Sequence, residues 1–396
     1  TMKALRMYAD WEPKPGFKLG AKDIEGRQTY LGSQVWKNPR VKIEEVPAPE
    51  PKGNEVVIKV RACGICGTDV HMYQTDDEGY MLYPGLTGFP ATIGHELSGE
   101  VVAWGPDALD KETNKPFKGG EKVCAEEMIW CGSCKPCAAG YPNHCERLDE
   151  IGINIDGGFT KYVVVPDRVL WSLDPLTERY SEQDVFQLGA LIEPSSVAYN
   201  AVIERGGGVR PGDNVVILGA GPVGLLAATI LKRNGAGQVI LSEPSEERAR
   251  LASQMGVDHV IDPINESMPE RVLEITKGMG ASLFLEATGL PTQVYPDIEQ
   301  VIWEGRTLNS TVVVVARAEA KIPVTGEVLQ VRRARIVGAQ GHSGHGTFPR
   351  VIQSIAKGMD VRPIITKTVP LEGVQEMMEE LQTDKKHCKV QCVMEP

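Results

Sequence analysis

At 396 residues, with 42% hydrophobic content, the chain is too long for one core and apolar enough to build two of ordinary size. Its 42 lysines and arginines against 53 aspartates and glutamates leave a formal charge of −11 and no long basic block, which argues against a nucleic-acid partner, because phosphate binding is carried by clustered cations. The N-terminus lacks an apolar stretch and no apolar run reaches about eighteen residues, so neither secretion nor a membrane span is expected, and the cytoplasm is the expected location.

In chain order, residues 1–60 read as strand and loop. An irregular Gly- and Pro-bearing segment, Trp11 to Val35, precedes two strand-like runs, Val41 to Val46 and Glu55 to Val60, separated by Pro47, Pro49 and Pro51. Two pieces of a candidate metal site follow, Gly64 to His71 and Gly94 to Glu96. Cys66, His95 and Glu96 supply a thiolate, an imidazole and a carboxylate, three donors that leave zinc a fourth position open, as catalytic sites require. Each donor alone says little, since a lone cysteine is usually a small buried hydrophobe.

Thr68 and His71 stand two and five residues beyond Cys66. If this segment enters a helix, Thr68 points a hydroxyl at the substrate oxygen and His71 lies one turn on, toward solvent; oxidising an alcohol needs such a proton path. The alternative is that Thr68 only caps the helix. Asp69 suits the orienting of a metal-shell imidazole. The acidic segment Asp76 to Tyr80 reads as a solvated loop, or as a pocket wall suited to a hydroxyl-rich substrate.

Nine cysteines are present, and Cys131, Cys134, Cys137 and Cys145 crowd into fifteen residues. Two CxxC steps and a short return give a closed tetrahedral site, the form of a structural zinc, with Gly132 and Gly140 easing the wrap. Disulfides would be strained at that spacing, and an iron–sulfur cluster takes the same four donors. Further on, Thr160 to Val165 reads as a strand. Glu193, in Leu191 to Val197, places a carboxylate where it can approach the first metal as a ligand or through a bound water.

The run Asn214 to Leu218 is a continuous apolar strand, followed at once by Gly219-Ala220-Gly221-Pro222-Val223-Gly224 and a helical stretch to Arg233. A second strand, Gln238 to Ser242, leads to Glu243, twenty-four residues after Gly219. This is the context of a dinucleotide fingerprint: a tight glycine turn, pyrophosphate at a helix N-terminus and a carboxylate on the ribose hydroxyls. Glu243 favours NAD over NADP by repelling a 2′-phosphate, while Arg248 pulls the other way. Strand-like runs recur at His259 to Asp262, Ala281 to Gly289 with Thr288 at its tip, and Ser310 to Ala316, which builds a doubly wound parallel sheet. His342 and His345 in the later Gly-rich loop could line the pocket or bind metal; with a ligand set filled elsewhere, they read as substrate contacts or as plain loop residues.

In this order, GICGTDVH, GHE, CxxCxxCx₇C, IEPSSV and GAGPVG resemble the zinc-containing medium-chain alcohol and polyol dehydrogenases over nearly the whole chain. The resemblance, nearest to the sorbitol dehydrogenase branch because Gly67 follows Cys66, implies an α/β fold: a Rossmann domain at 195–335, and a mainly β, GroES-like catalytic domain at 1–194 and 336–396 with a zinc lobe near 124–146. It implies that Cys66, His95 and either Glu96 or Glu193 hold a catalytic zinc, and that the four cysteines hold a structural one. NAD is the implied cofactor, contacted by Gly219, Gly221, Pro222, Val223, Gly224, Glu243, Arg248 and Thr288. A homodimer or homotetramer acting on a polyol or cyclic ketone is implied as well. A narrower likeness in Met7 to Trp11, Tyr83 to Pro90 and Gly341 to Arg350 implies a cyclic polyhydroxy ketone, with linear sugar alcohols or simple secondary alcohols as the alternative. Two rivals remain at this stage: a zinc-free quinone reductase-like enzyme, and a non-catalytic NAD-binding protein.

Overall fold

The computed structural model describes residues 1–20, 28–29 and 31–395. The strand Met2–Trp11 pairs antiparallel with Trp36–Val46 and sends Leu5 and Met7 into the core. Of the expected irregular segment, 21–27 and 30 lie outside the described residues. A seven-stranded sheet follows, in which Glu55–Ile65 is flanked by Glu96–Trp104 and Lys389–Val393 and also pairs with Tyr162–Pro166. Its β-branched positions, Val56, Ile58 and Val60, are fully buried, as a strand covered on one face requires.

This sheet positions the site. Its register sets Gly64 opposite Glu96, and a Cβ at Gly64 would lie 1.9 Å from a Glu96 carboxylate oxygen, so only glycine lets that side chain lie across the strand. The C-terminal strand places Val390 opposite Ile65, which brings the neighbouring Lys389 beside the same carboxylate.

The second unit is a six-stranded parallel sheet ordered His259–Ile261, Gln238–Ser242, Asn214–Leu218, Leu283–Glu286, Thr311–Val314, Arg335–Gly338. The order reverses between Asn214–Leu218 and Leu283–Glu286, which opens a crevice at the strand ends where ligands of such folds bind. The boundary expected at 335/336 runs through the last strand. The helix Thr347–Ala356 buries Phe348, Val351, Ile352 and Ile355 in one core with Val215, Ile217 and Leu225 and also with Leu173, Leu176 and Tyr180, so it packs on both units. Parallel pairing of Val313 with Val337 puts Arg335–Gly338 in this sheet, and apolar patterning cannot reveal it. Among the described residues no helix is long and apolar enough to cross a membrane.

Candidate active site

Cys66 ends the strand Glu55–Ile65 and is the N-cap of the helix Gly67–Tyr73. Its backbone N–H donates to Asp69 Oδ2 at 2.9 Å, closing a capping box. The cap is therefore Cys66 and not Thr68, whose hydroxyl sits in the first turn free of that duty. His71 lies at the end of the same helix and is exposed; surrounding protein and Lys385 hold its imidazole below the ordinary value. Gly94, at φ +97°, makes the turn that delivers His95, and a Cβ there would strike Phe159 and Cys63.

Ligand atoms of Cys66, His95 and Glu96 lie within 4.8 Å of one another. His95 is buried, and its Nδ1, unpaired, faces Asp69 Oδ1 at 3.7 Å, which leaves the opposite ring nitrogen for a metal. Burial alone would strip a proton from this ring, but Asp69, Cys66 and Glu127 hold its affinity well above the ordinary value. The same negative surroundings favour a divalent cation, so the donor set fits zinc. Glu96 is not simply free to coordinate, because Lys389 Nζ donates to both of its oxygens at 2.6 and 2.7 Å and also to Ile65 O at 3.1 Å. A carboxylate has lone pairs enough for both partners.

Glu193, buried in the helix Ile192–Tyr199, belongs to a second group with Glu127 and His342. His342 Nε2 is 3.3 Å from Glu127 Oε2 and 3.3 Å from Glu193 Oε1. Burial lifts the Glu193 carboxyl to about 7, partly countered by His342. Burial opposes the charge on His342, but its hydrogen bond to Glu127 and the Glu193 charge hold it above its usual value. Sequence reasoning missed Glu127, Glu150, Tyr83, Arg317 and Lys389. It weighed both histidines without separating them, and the structure does so: His342 is fully buried, while His345 is exposed at φ +55°. The Glu126-Glu127 doublet just after the strand Lys122–Ala125 was the available signal.

Cys131, Cys134, Cys137 and Cys145 also converge within 4.8 Å, all as free thiols. The N–H groups of Ser133 and Cys134 donate to Cys131 Sγ at 3.5 and 3.3 Å, and Arg147 reaches it at 3.2 Å. Those donors, Ser133 foremost, lower the Cys131 thiol to about 5, so a thiolate stands ready for a cation.

In the parallel sheet, Gly219 has φ +101°, and a Cβ at Gly224 would lie 2.0 Å from Gly219 O, so the helix Pro222–Arg233 packs hard on the turn. A Cβ at Gly221 would meet nothing, which leaves room for a pyrophosphate beside Pro222 and Val223 at the helix start. Glu243 is fixed by Ala220 N–H at 2.7 Å and Ser245 N–H at 2.9 Å. Arg248, in the helix Glu246–Gln254, donates to His387 O at 3.1 Å, which ties that helix to the C-terminal segment. Thr288 is held by Glu286 through both its N–H and its hydroxyl, at 2.8 and 2.6 Å.

Two family models match, the alcohol dehydrogenase GroES-like domain over residues 52–175 and zinc-binding dehydrogenase over 222–357. The fold and site thus define a zinc-dependent oxidoreductase using a nicotinamide dinucleotide, and the chain belongs to the zinc-binding alcohol dehydrogenase family. It is 62% identical over 390 residues to scyllo-inosose 3-dehydrogenase of Thermotoga maritima, covering 98% of this chain and 99% of that one. A Thermotoga maritima structure provisionally described as an alcohol dehydrogenase superposes with a TM-score of 0.97 at 61% identity, covering 100% of both chains. L-threonine 3-dehydrogenase of Caldanaerobacter subterraneus is 32% identical, over 85% of this chain and 90% of that one.

Proposed function

We propose that the protein oxidises a secondary hydroxyl of a cyclic polyol or inosose, scyllo-inosose foremost, with NAD as hydride acceptor. The observation that carries the chemistry is the convergence of Cys66, His95 and Glu96 from separate segments; the substrate rests on the 62% identity. When bound at these residues, with Glu193 as an alternative carboxylate, zinc supplies Lewis acidity toward the substrate oxygen, and NAD supplies the acceptor for the hydride. Thr68, in the first turn beyond Cys66, accepts the substrate's hydroxyl proton as it gives up its own toward His71, and His71 at the far end of that helix passes the proton to solvent. Asp69 keeps His95 oriented. Glu243, clamped in place by the turn it faces, accepts from a ribose 2′-OH and repels a 2′-phosphate, which supports NAD. The cysteine quartet serves as a structural zinc site. The same reading places the enzyme in the cytoplasm as a homodimer or homotetramer, as the family resemblance implies.

The test is a screen of scyllo-inosose, inositols, sorbitol, butane-2,3-diol and L-threonine with NAD and NADP, following the absorbance of the reduced cofactor. Inososes or inositols with NAD should give the highest kcat/KM, and Cys66→Ser should abolish turnover while NADH still binds. Preference for L-threonine, or full activity in Cys66→Ser, would overturn the reading.

A further inference from the structure

The proposed function leaves a set of buried polar groups beside the metal donors unused. Glu127, Glu150 and His342 are each under a tenth exposed, and no motif of the sequence claims the two glutamates. The short strands Met128–Ile129 and Asp149–Glu150 pair antiparallel, and Ile151 N–H donates to Glu127 O at 2.9 Å, so Glu127 and Glu150 lie on neighbouring positions of one small ribbon. This ribbon abuts the metal donors: a Cβ at Gly152, two residues past Glu150, would lie 2.4 Å from the carbonyl oxygen of Gly94, which precedes His95, and Glu127 gathers with Glu193 and His342 within 4.8 Å. Arg317 reaches across from the nucleotide-binding unit to donate to Tyr83 Oη at 3.3 Å, closing the far side.

One observation points to a ligand. Glu150 Oε2 is buried and without a hydrogen-bond partner. A buried carboxylate oxygen left unpaired is costly, and two neighbouring carboxylates make it more so. Such an arrangement persists where an incoming group completes it. The group that two carboxylates complete is a donor of several O–H bonds. A metal ion is the other candidate for Glu127, Glu193 and His342, but His342 already lies between the two carboxylates as their common partner.

Resting on the proposed function, we propose that Glu127 and Glu150 form a hydroxyl-reading wall, accepting hydrogen bonds from ring hydroxyls that flank the carbon being oxidised, and that His342 is the positioning residue that fixes Glu127. His342 is itself locked from behind. Its loop is pinned to the cysteine-rich lobe by Asn143, which donates to Ser343 O at 3.0 Å and accepts from Ser343 N–H at 2.9 Å. His342 also stacks edge-on with Phe348 at 5.3 Å.

The experiment is a double-mutant cycle between protein and substrate on the zinc-loaded enzyme at about pH 9, above the value of about 8 at which Glu150 gives up its proton, comparing the ring polyol with analogues that lack one flanking hydroxyl. Wild type should lose about tenfold or more in kcat/KM for at least one analogue, the scale of a hydrogen bond to a charged group. In Glu127→Gln or Glu150→Gln that penalty should shrink to less than about threefold, with zinc content and NADH affinity unchanged. His342→Ala should raise KM for the ring polyol about tenfold while kcat holds, and His342→Gln, which keeps an N–H for Glu127, should recover most of the loss. A penalty that persists in both glutamine variants overturns the proposal, as does loss of a zinc equivalent from Glu127→Gln, which would make that carboxylate a ligand. Should the variants fail to fold, wild type alone decides: indifference to every deleted hydroxyl refutes the wall. A wild type that oxidises no inosose or inositol defeats the proposed function itself, whereas one that oxidises them yet ignores the deletions defeats only this inference.

Discussion

The Glu96–Lys389 pair ties the C-terminal strand to the metal donors, and removing the lysine tests whether that carboxylate answers to the ion. Side-chain exposure is 2% for Lys389 and 1% for Glu96, at a separation of 2.6 Å. At an effective dielectric near 20 the attraction is roughly 6 kcal/mol, a sum largely offset by the several kcal/mol needed to desolvate each ion. Deleting one partner keeps the desolvation and loses the attraction. Lys389→Met should therefore destabilise the zinc-stripped protein by about 3–5 kcal/mol. For a unit of this size that lowers the unfolding midpoint by roughly 6–20 °C. With zinc restored, the loss should fall by about half or more, because a divalent cation beside Glu96 replaces the missing ammonium. Differential scanning calorimetry of both proteins in each metal state reads the effect, every variant being compared with wild type in the same state. The double variant Glu96→Gln/Lys389→Met should regain most of the lost stability, since nothing charged is then left buried. An equal loss with and without zinc would show that Glu96 does not feel the ion, and would move the third-ligand assignment to Glu193.

Other perturbations separate the remaining parts. Burial, then the neighbouring Glu127, raises the Glu150 carboxyl from 4.5 to about 8, against the opposing pull of Arg317, His95 and His342. The folded state therefore holds a proton there that the unfolded chain releases. Stability from this group is present below about 4.5 and is lost as pH rises to about 8, so Glu150→Gln should be the more stable protein at pH 9 and nearly equal to wild type at pH 4.5 by urea titration. A gap that widens toward acid would refute this. Cys134→Ser should cost one zinc equivalent by elemental analysis and make the segment around 131–147 protease-sensitive, with polyol kcat/KM down about tenfold because Asn143 no longer braces the His342 loop. Amide exchange in the parallel sheet should not change. Glu243→Ala should lower kcat/KM for NAD by about 10–100-fold and for NADP by less; an equal loss on both would leave the carboxylate a turn brace only.

What could be read from the sequence was local. Cys131 to Cys145 announce their convergence by spacing alone, because CxxC steps leave the backbone few ways to present four thiols. The turn from Gly219 to Gly224 is equally self-contained, since strand, glycines and helix are contiguous. Cys66 and His95 needed the family pattern to be joined, being brought together by a strand pairing that apolar alternation suggests without fixing its register. Nothing local marks Lys389 as the partner of a carboxylate 293 residues earlier, or His342 as the partner of one 215 residues earlier. The region of the expected boundary at 335/336 is likewise not legible locally, because the strand Arg335–Gly338 is assigned by its neighbour in the sheet and not by its own composition.

The electrostatics of the site follow from these long-range pairings. Asp69, Glu96, Glu127, Glu150 and Glu193 are all buried in this region, whereas the fixed cations that reach them are Lys389 and Arg317, with His95 and His342 as titratable partners. In a low-dielectric interior such an excess of acid is tolerated only by keeping protons or by admitting a cation. The raised values of Asp69, Glu150 and Glu193 show the first solution at work in the protein by itself. A zinc ion at Cys66 and His95 is the second, and it would release protons from this cluster as it binds. The acid excess that makes the pocket costly in isolation is thus what lets it hold a metal on one side and read hydroxyl groups on the other.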